Sequence, residues 1–278
     1  MKTSYLVALC FAAALTSGRA QTPLVGPGSS YTNIFSPASD VTFDVPGGGL
    51  LSITLSNGST TQSSGIWDLT AQGGANANIL FIGLLESGAQ TQLTGSTLKF
   101  NISNDNDSLL GLLGVGTSIH YGWEATAYFD TPGSVLGFSD LNNYHISFDV
   151  DGDNGLLDSV AGLNPSLSFE LIDGLGNSLA SDGNGSLINV GGLLGGLTSG
   201  TVNLDYNVIG SVPTGPVGIR FRGDATVGAA ALGLGTDFAT ISNVSITATP
   251  IPEPTALLLI AVLGAVSVLA RHRRPQFA

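Results

Sequence analysis

Residues 144–151 read YHISFDVD, in which Tyr144, Ile146, Phe148 and Val150 alternate with His145, Ser147, Asp149 and Asp151. A strand points successive side chains to opposite faces, so this period of two describes a strand with one face on a core and the other in water. The same reading extends outward along the chain. Leu167, Phe169 and Leu171 alternate with Ser166, Ser168 and Glu170, Leu98, Phe100 and Ile102 with Thr97, Lys99 and Asn101, and Val41, Phe43 and Val45 with Asp40, Thr42 and Asp44. Further apolar runs at 51–55, 79–84, 119–129, 202–208, 217–222 and 244–248 bring the expected total to roughly ten to twelve strands. Proline and glycine clusters at 46–49, 131–133 and 213–216 fall between the runs, where turns belong. No helix-period stretch interrupts the series. The predicted fold is therefore all-β: two packed antiparallel sheets, a jelly-roll-like sandwich over residues 21–248.

Composition agrees with this pattern. The chain has 278 residues, 43% hydrophobic but only 10% charged, with 39 glycines and a formal net charge of -12. Long amphipathic helices need Lys, Arg and Glu on their wet faces, and such a composition supplies few of them. Charge-driven disorder is excluded for the opposite reason, because the chain is too apolar. Between the two ends, nineteen acids stand against Lys99, Arg220 and Arg222. Nucleic acid is not an expected partner, since phosphate binding requires a cluster of basic side chains. Divalent cations and neutral sugars suit the surface better.

The ends carry addresses. Lys2 precedes an apolar stretch at 6–15, and Gly18, Arg19 and Ala20 close it with mostly small residues, so residues 1–20 read as a secretory signal peptide. Cys10, the only cysteine, lies within that stretch, so the mature chain is expected to have no disulfide, thiolate nucleophile or Cys-bound zinc. At the other end, Pro252, Glu253 and Pro254 lead into an uncharged apolar run at 255–270, followed by Arg271, His272, Arg273 and Arg274 within the tail 271–278. As a helix the run measures about 24 Å, enough to cross a membrane marginally, with the arginines held on the cytoplasmic side.

This order, over residues 249–278, resembles the PEP-CTERM sorting signal of exported bacterial proteins, in which a Val-Pro-Glu-Pro-like box precedes a short transmembrane helix and a basic tail. Pro252, Glu253 and Pro254 match the box, while Ile251 stands where Val is frequent and His272 interrupts the arginines. The resemblance implies a chain that is single-pass in the membrane before an exosortase-like protease processes it. It also implies a destination at the cell surface, in the envelope or in the extracellular matrix, often alongside exopolysaccharide. A plain single-span anchor is the alternative.

Chemistry-bearing motifs are few. The region between the two signals contains no Gly-x-Ser-x-Gly elbow, no His-Glu-x-x-His and no P-loop lysine. Its histidines are His120 and His145, and its glutamates are Glu86, Glu124 and Glu170. No catalytic residue is assigned. The best local site is Asp149, Asp151 and Asp153 with Asp158 beyond: alternating carboxylates released into a turn by Gly152 and Gly155 can gather hard oxygens around Ca²⁺. Asn154 and Val160 stand where an EF-hand places its glycine and glutamate, so the alternative is a solvated acidic turn. Asn104 to Asp107 form a weaker turn of the same kind.

Glycan contact is the other site expectation. Trp67 and Trp123, with Tyr121 and Tyr128, offer flat apolar faces for saccharide stacking. Trp123, however, shares the parity of Tyr121, Ala125 and Phe129, which reads as a core face. Arg220 and Arg222 lie opposite Ile219 and Phe221, placed either to bind carboxylates of acidic sugars or to neutralise Glu170 or Asp205 on a neighbouring strand. Three Leu- and Gly-rich segments, at 109–116, 190–197 and 227–235, read as loops over the open ends of a sandwich or as surfaces for self-association.

The resulting expectation is an exported, non-enzymatic structural or adhesive protein of the surface or matrix, with extracellular polysaccharide as a candidate partner. A carbohydrate-binding module is the second reading and a glycoside-active enzyme the third.

Overall fold

The computed structural model of the chain describes residues 22–29, 31–46, 51–79, 82–104, 118–129, 142–152, 166–181, 188–189, 200–207, 216–228 and 236–250. The strands are β1 (Thr22–Val25), β2 (Ser39–Thr42), β3 (Leu51–Ser64), β4 (Trp67–Ile79), β5 (Ile82–Leu93), β6 (Thr97–Asn104) and β7 (Ser118–Phe129). They continue as β8 (Asn142–Gly152), β9 (Ser166–Ile172), β10 (Ser178–Ser181), β11 (Ile188–Asn189), β12 (Gly200–Asn207), β13 (Val217–Gly228) and β14 (Thr236–Pro250). The described residues contain no helix, and so none long and apolar enough to cross a membrane. The predicted signal peptide and the sorting segment at 252–274 lie outside the described residues, as do 109–116, 190–197 and 229–235.

The alternation holds residue by residue in β8, where Tyr144, Ile146, Phe148 and Val150 are buried. In β9 Leu167, Phe169 and Leu171 are buried in the same way. The strands pair antiparallel along the path β10-β9-β13-β7-β4-β5-β6-β14-β8-β12, with β11 added to β9, β3 to β4, β2 to β5 and β1 to β14. The two sheets expected from the sequence are thus joined by hydrogen bonds into one curled sheet.

The join is β4. Its first half, Trp67 to Gln72, pairs with β7, and its second half, from Gly74 to Ile79, pairs with β5. Gly73 sits at the change of partner with φ +88°, and a Cβ there would lie 2.0 Å from the His120 carbonyl oxygen. Only a residue without a side chain allows the two backbones to approach so closely. At the same level β3 takes a bulge between Ser56 and Ser59, so the whole β3–β4 hairpin bends together. Across the bend, Thr91 Oγ1 of β5 donates to the Thr70 carbonyl of β4 at 2.7 Å and ties the two arms.

This strand corrects two sequence expectations. Residues 67–78 were not among the predicted strands, and the run predicted at 79–84 in fact spans the end of β4 and the start of β5, with Ile79 paired to Ile82. From Ala71 to Asn78 every residue but Gln72 is alanine, glycine or asparagine, so between Leu69 and Ile79 the strand lacks the large apolar side chains that mark one, and its Gly-Gly pair resembles a turn.

The curl brings distant parts of the path face to face. Phe148 of β8 lies 5.1 Å from Phe169 of β9 and 5.3 Å from Phe221 of β13, centroid to centroid. Trp123 of β7 stacks on Phe238 of β14 at 4.7 Å. Each ring buried in this way contributes about 2–3 kcal/mol of transfer free energy. Inside, Asn76 Nδ2 donates to the Val45 carbonyl at 3.2 Å, and the Ser87 and Tyr121 hydroxyls bond at 2.8 Å, while the buried Oδ1 of Asn143 has no hydrogen-bond partner among the described residues. Burial pushes the Tyr121 phenol up to about 12, against the weaker opposing pull of the Ser87 bond.

Candidate functional site

With the apolar residues turned inward, β9, β13, β7 and β4 present one polar face outward. Register fixes its rows. Glu170, Arg220, Thr126 and Asp68 lie side by side across the four strands, and Ser168, Arg222, Glu124 and Thr70 form the next row. The third row is Ser166, Asp224, Gly122 and Gln72.

The two arginines, one turn of the pleat apart, have different surroundings. Arg220 is closed in: Nε donates to Glu170 Oε2 at 2.7 Å, Nη2 bonds the same oxygen, and Nη1 donates to the Gly176 carbonyl at 3.3 Å. Its side chain is only 13% exposed. Arg222 donates through Nε to Glu124 Oε2 at 2.7 Å and is 44% exposed. Glu124 also accepts from the Thr126 hydroxyl at 3.1 Å. Both glutamates are thus matched to arginines on the neighbouring strand; of the two partners expected from the sequence, Glu170 is met by Arg220, whereas Asp205 lies on β12 with His145 at 3.0 Å and Arg222 meets Glu124 instead.

In the third row the missing side chain at Gly122 leaves a depression of about 320 Å³, rimmed by Gln72, Thr70, Glu124, Arg222 and Asp224. Asp224 meets His120 Nε2 at 3.5 Å. Partial burial raises the Asp224 carboxyl above the ordinary aspartate range, and Glu124 pushes the same way, against the lowering effect of His120 and Arg222. Donors and acceptors therefore meet on one sheet surface, over a glycine that Gln72 and Asp224 cover. Gly122, Asp224 and Gln72 were absent from the sequence-derived site. The signal was present: Asp224 continues the parity of Arg220 and Arg222, and His120, Gly122, Glu124 and Thr126 share one parity on β7.

Trp67 and Trp123, candidates for glycan stacking, are in the core at 1% and 2% exposure. Trp67 Nε1 donates to the Ile34 carbonyl, and its ring stacks on Phe35 at 5.6 Å. Trp123 Nε1 donates to the Asn101 carbonyl at 2.7 Å. Neither ring presents a face to a ligand, which corrects the stacking role and agrees with the parity of Trp123.

Of the candidate calcium ligands, Asp149 and Asp151 share the outer face of β8, while Asp153 and Asp158 lie outside the described residues. Asp149 Oδ1 accepts from the Thr201 hydroxyl at 2.6 Å, and Oδ2 accepts from Asn243 Nδ2 at 2.7 Å. Those two bonds, Thr201 first, hold its carboxyl below the ordinary range. Asn243 reaches Asp149 from the β14 bulge between Ser242 and Ser245, where its φ is +52°. Among the described residues no three acidic, His or Cys side chains gather as a metal site.

No family model and no curated protein matches the sequence. Among solved structures, a cyclase from Fischerella sp. TAU in complex with 4-(1H-indol-3-yl)butan-2-one is similar at 14% identity and a TM-score of 0.33, over 61% of this chain and 77% of that one. The Stig cyclase Fisc from the same organism is similar at 15% identity and a TM-score of 0.31, over 60% and 77% of the two chains. The infectious bursal disease virus Gx strain structure is similar at 13% identity and a TM-score of 0.24, over 78% of this chain and 55% of that one.

Proposed function

We propose that the chain is an exported, non-enzymatic structural or adhesive protein of the bacterial surface or extracellular matrix. In this reading, residues 1–20 direct export, residues 249–278 act as a PEP-CTERM-like sorting signal cut by an exosortase-like protease, and the β region is the part that remains outside. The curled sheet is taken as a two-layer, jelly-roll-like sandwich. From β6 to β14 the long strands alternate between arms, with β6, β8, β12 and β14 on one and β7, β9 and β13 on the other, the crossing pattern that such folds use.

The observation that carries the reading is the character of the two outer faces. On one, Asp151, Thr240, Lys99, Gln92 and Asp40 follow each other across β8, β14, β6, β5 and β2. On the other, Ser63 donates to Asp68, Thr61 bonds Thr70 at 2.9 Å, and Glu124 and Glu170 are matched by arginines. Short polar side chains tied to their lateral neighbours make a rigid, hydrated surface suited to contact. A glycosidase instead needs one carboxyl poised to give a proton and another free to act on the sugar, whereas Glu124 and Glu170 are each engaged by a guanidinium.

Deletion of the gene in the native bacterium tests this. The expected result is altered cell aggregation or biofilm architecture, restored by the intact gene, with unchanged growth on single polysaccharides. The mature protein should end before the apolar run when its C-terminal peptide is read by mass spectrometry. Peptides reaching Arg274 would replace processing with a plain anchor. Reducing sugar released by the purified protein, and lost with Glu124→Gln, would overturn the non-enzymatic reading.

A further inference from the structure

Arg222 spends one nitrogen on Glu124 and, unlike Arg220, has no bond from its Nη atoms to another described residue. Those two donors border the depression over Gly122. Across the floor, Asp224 and Gln72 are the register partners of Gly122 on either side. Their side chains close in over the glycine: Asp224 Oδ1 and Gln72 Oε1 stand 3.7 and 3.3 Å from where its Cβ would lie, so Gly122 is buried and a ligand would rest on these tips at the mouth of the depression, not on the glycine itself.

We propose that this depression binds one ring of a neutral polysaccharide. The inference rests on the matrix reading above and names its ligand. A sugar hydroxyl both donates and accepts, and the rim supplies both kinds of partner: the Arg222 guanidinium donates, and the carboxylates of Glu124 and Asp224 accept. Gln72 Oε1 faces the floor, 3.3 Å from where a Gly122 Cβ would lie, and adds an acceptor. The charge balance selects against acidic sugars. One guanidinium already matched by Glu124, with Asp224 beside it, leaves no surplus positive charge for a uronate. Trp123 lies buried beneath the site and offers no stacking face, so the site recognises hydroxyls through planar polar side chains.

The floor supplies a test. A Cβ at Gly122 would meet Oε1 and Cβ of Gln72 at 3.3 and 3.5 Å and Oδ1 of Asp224 at 3.7 Å, with no backbone atom among them, so Gly122→Ser displaces the Gln72 and Asp224 tips that line the depression while leaving the strand pairing in place. The full chain, in mild detergent with EDTA throughout, is run through native gels cast with dextran, hydroxyethylcellulose, galactomannan, polygalacturonate or chitosan. Retardation is expected in at least one neutral polymer. Both Gly122→Ser and Arg222→Gln should weaken it about tenfold or more while melting like the parent, and Gln72→Ala provides a third variant should either melt lower. Retardation by polygalacturonate or chitosan alone, retardation undiminished in the variants, or none in any gel would each overturn the site. An altered biofilm in the deletion strain would then still support the matrix reading, whereas retardation beside an unaltered deletion strain would overturn that reading and leave the site standing.

Discussion

Arg220 and Arg222 are two residues apart, face the same way and each meet a glutamate, yet the first belongs to the structure and the second to the surface. The difference is enclosure. Arg220 and Glu170 have side chains 13% and 18% exposed, and the Gly176 carbonyl takes up a further guanidinium nitrogen. Removing one partner leaves a nearly buried charge alone, so Arg220→Met is expected to lower stability by about 2–4 kcal/mol, and Arg220→Met with Glu170→Leu to recover most of that loss. Arg222 and Glu124 sit at 44% and 33% exposure, where water screens the pair, and Arg222→Gln is expected to change stability by less than about 1 kcal/mol. Urea midpoints of the four proteins check both expectations; equal effects of the two single changes would remove the distinction. The sequence offered this pair of residues but left open whether they met sugar acids or Glu170 or Asp205 on a neighbouring strand, and did not point to Glu124, because cross-strand register is not written in a single strand. The same gap hid Gly122, whose importance comes from Asp224 on one side and Gln72 on the other.

Among the elements, those with large side chains at every second position were legible in the amino-acid sequence. In β8 and β9 each inward position predicted from alternation is buried, because a regular strand transmits its parity without slipping. β4 was not legible, and it is the element that decides the shape. Its small residues let β7 and β5 approach one strand in turn, a use of Ala and Gly that hydropathy alone reads as weakness. Close approach makes a sharp prediction at the bend. Gly73→Ala puts a methyl 2.0 Å from the His120 carbonyl oxygen at a φ of +88°, and is expected to lower stability by about 3 kcal/mol or more through clash and backbone strain together. Gly95, with φ +93° and nothing within 4 Å of its Cβ position, isolates the strain alone, so Gly95→Ala is expected to lower stability by about 1–2 kcal/mol. Denaturation midpoints decide between them. A Gly73→Ala protein as stable as the Gly95→Ala protein would show that the corner can open without penalty.

At the scale of the whole molecule, the inside and the outside respond to different conditions. Among the described residues no charged side chain is buried in the core, so those on the outer faces of this acidic chain react to salt and to ligands. The inside reacts to strong base, because the Tyr121 hydroxyl is buried between the arms, bonded to Ser87 at 2.8 Å, with its pKa pushed up to about 12 by burial. In the unfolded chain a tyrosine titrates near pH 10. Between about pH 10 and 12 the unfolded state therefore gives up its proton while the folded state keeps it, so the unfolded state binds fewer protons and stability falls as pH rises. The contribution is fully present below about pH 10 and disappears as pH passes through the folded value, a loss of about 2–3 kcal/mol. Tyr121→Phe separates this from general repulsion among the acids. That variant should be less stable at neutral pH by about 1–2 kcal/mol, since the Ser87 hydroxyl loses its buried partner, and should show a shallower decline between pH 10 and 12. Urea unfolding of both proteins at half-unit steps from pH 8 to about 12 measures the two slopes. Parallel slopes would mean that the arms part before the phenol matters, and would place the alkaline response on the charged surface instead.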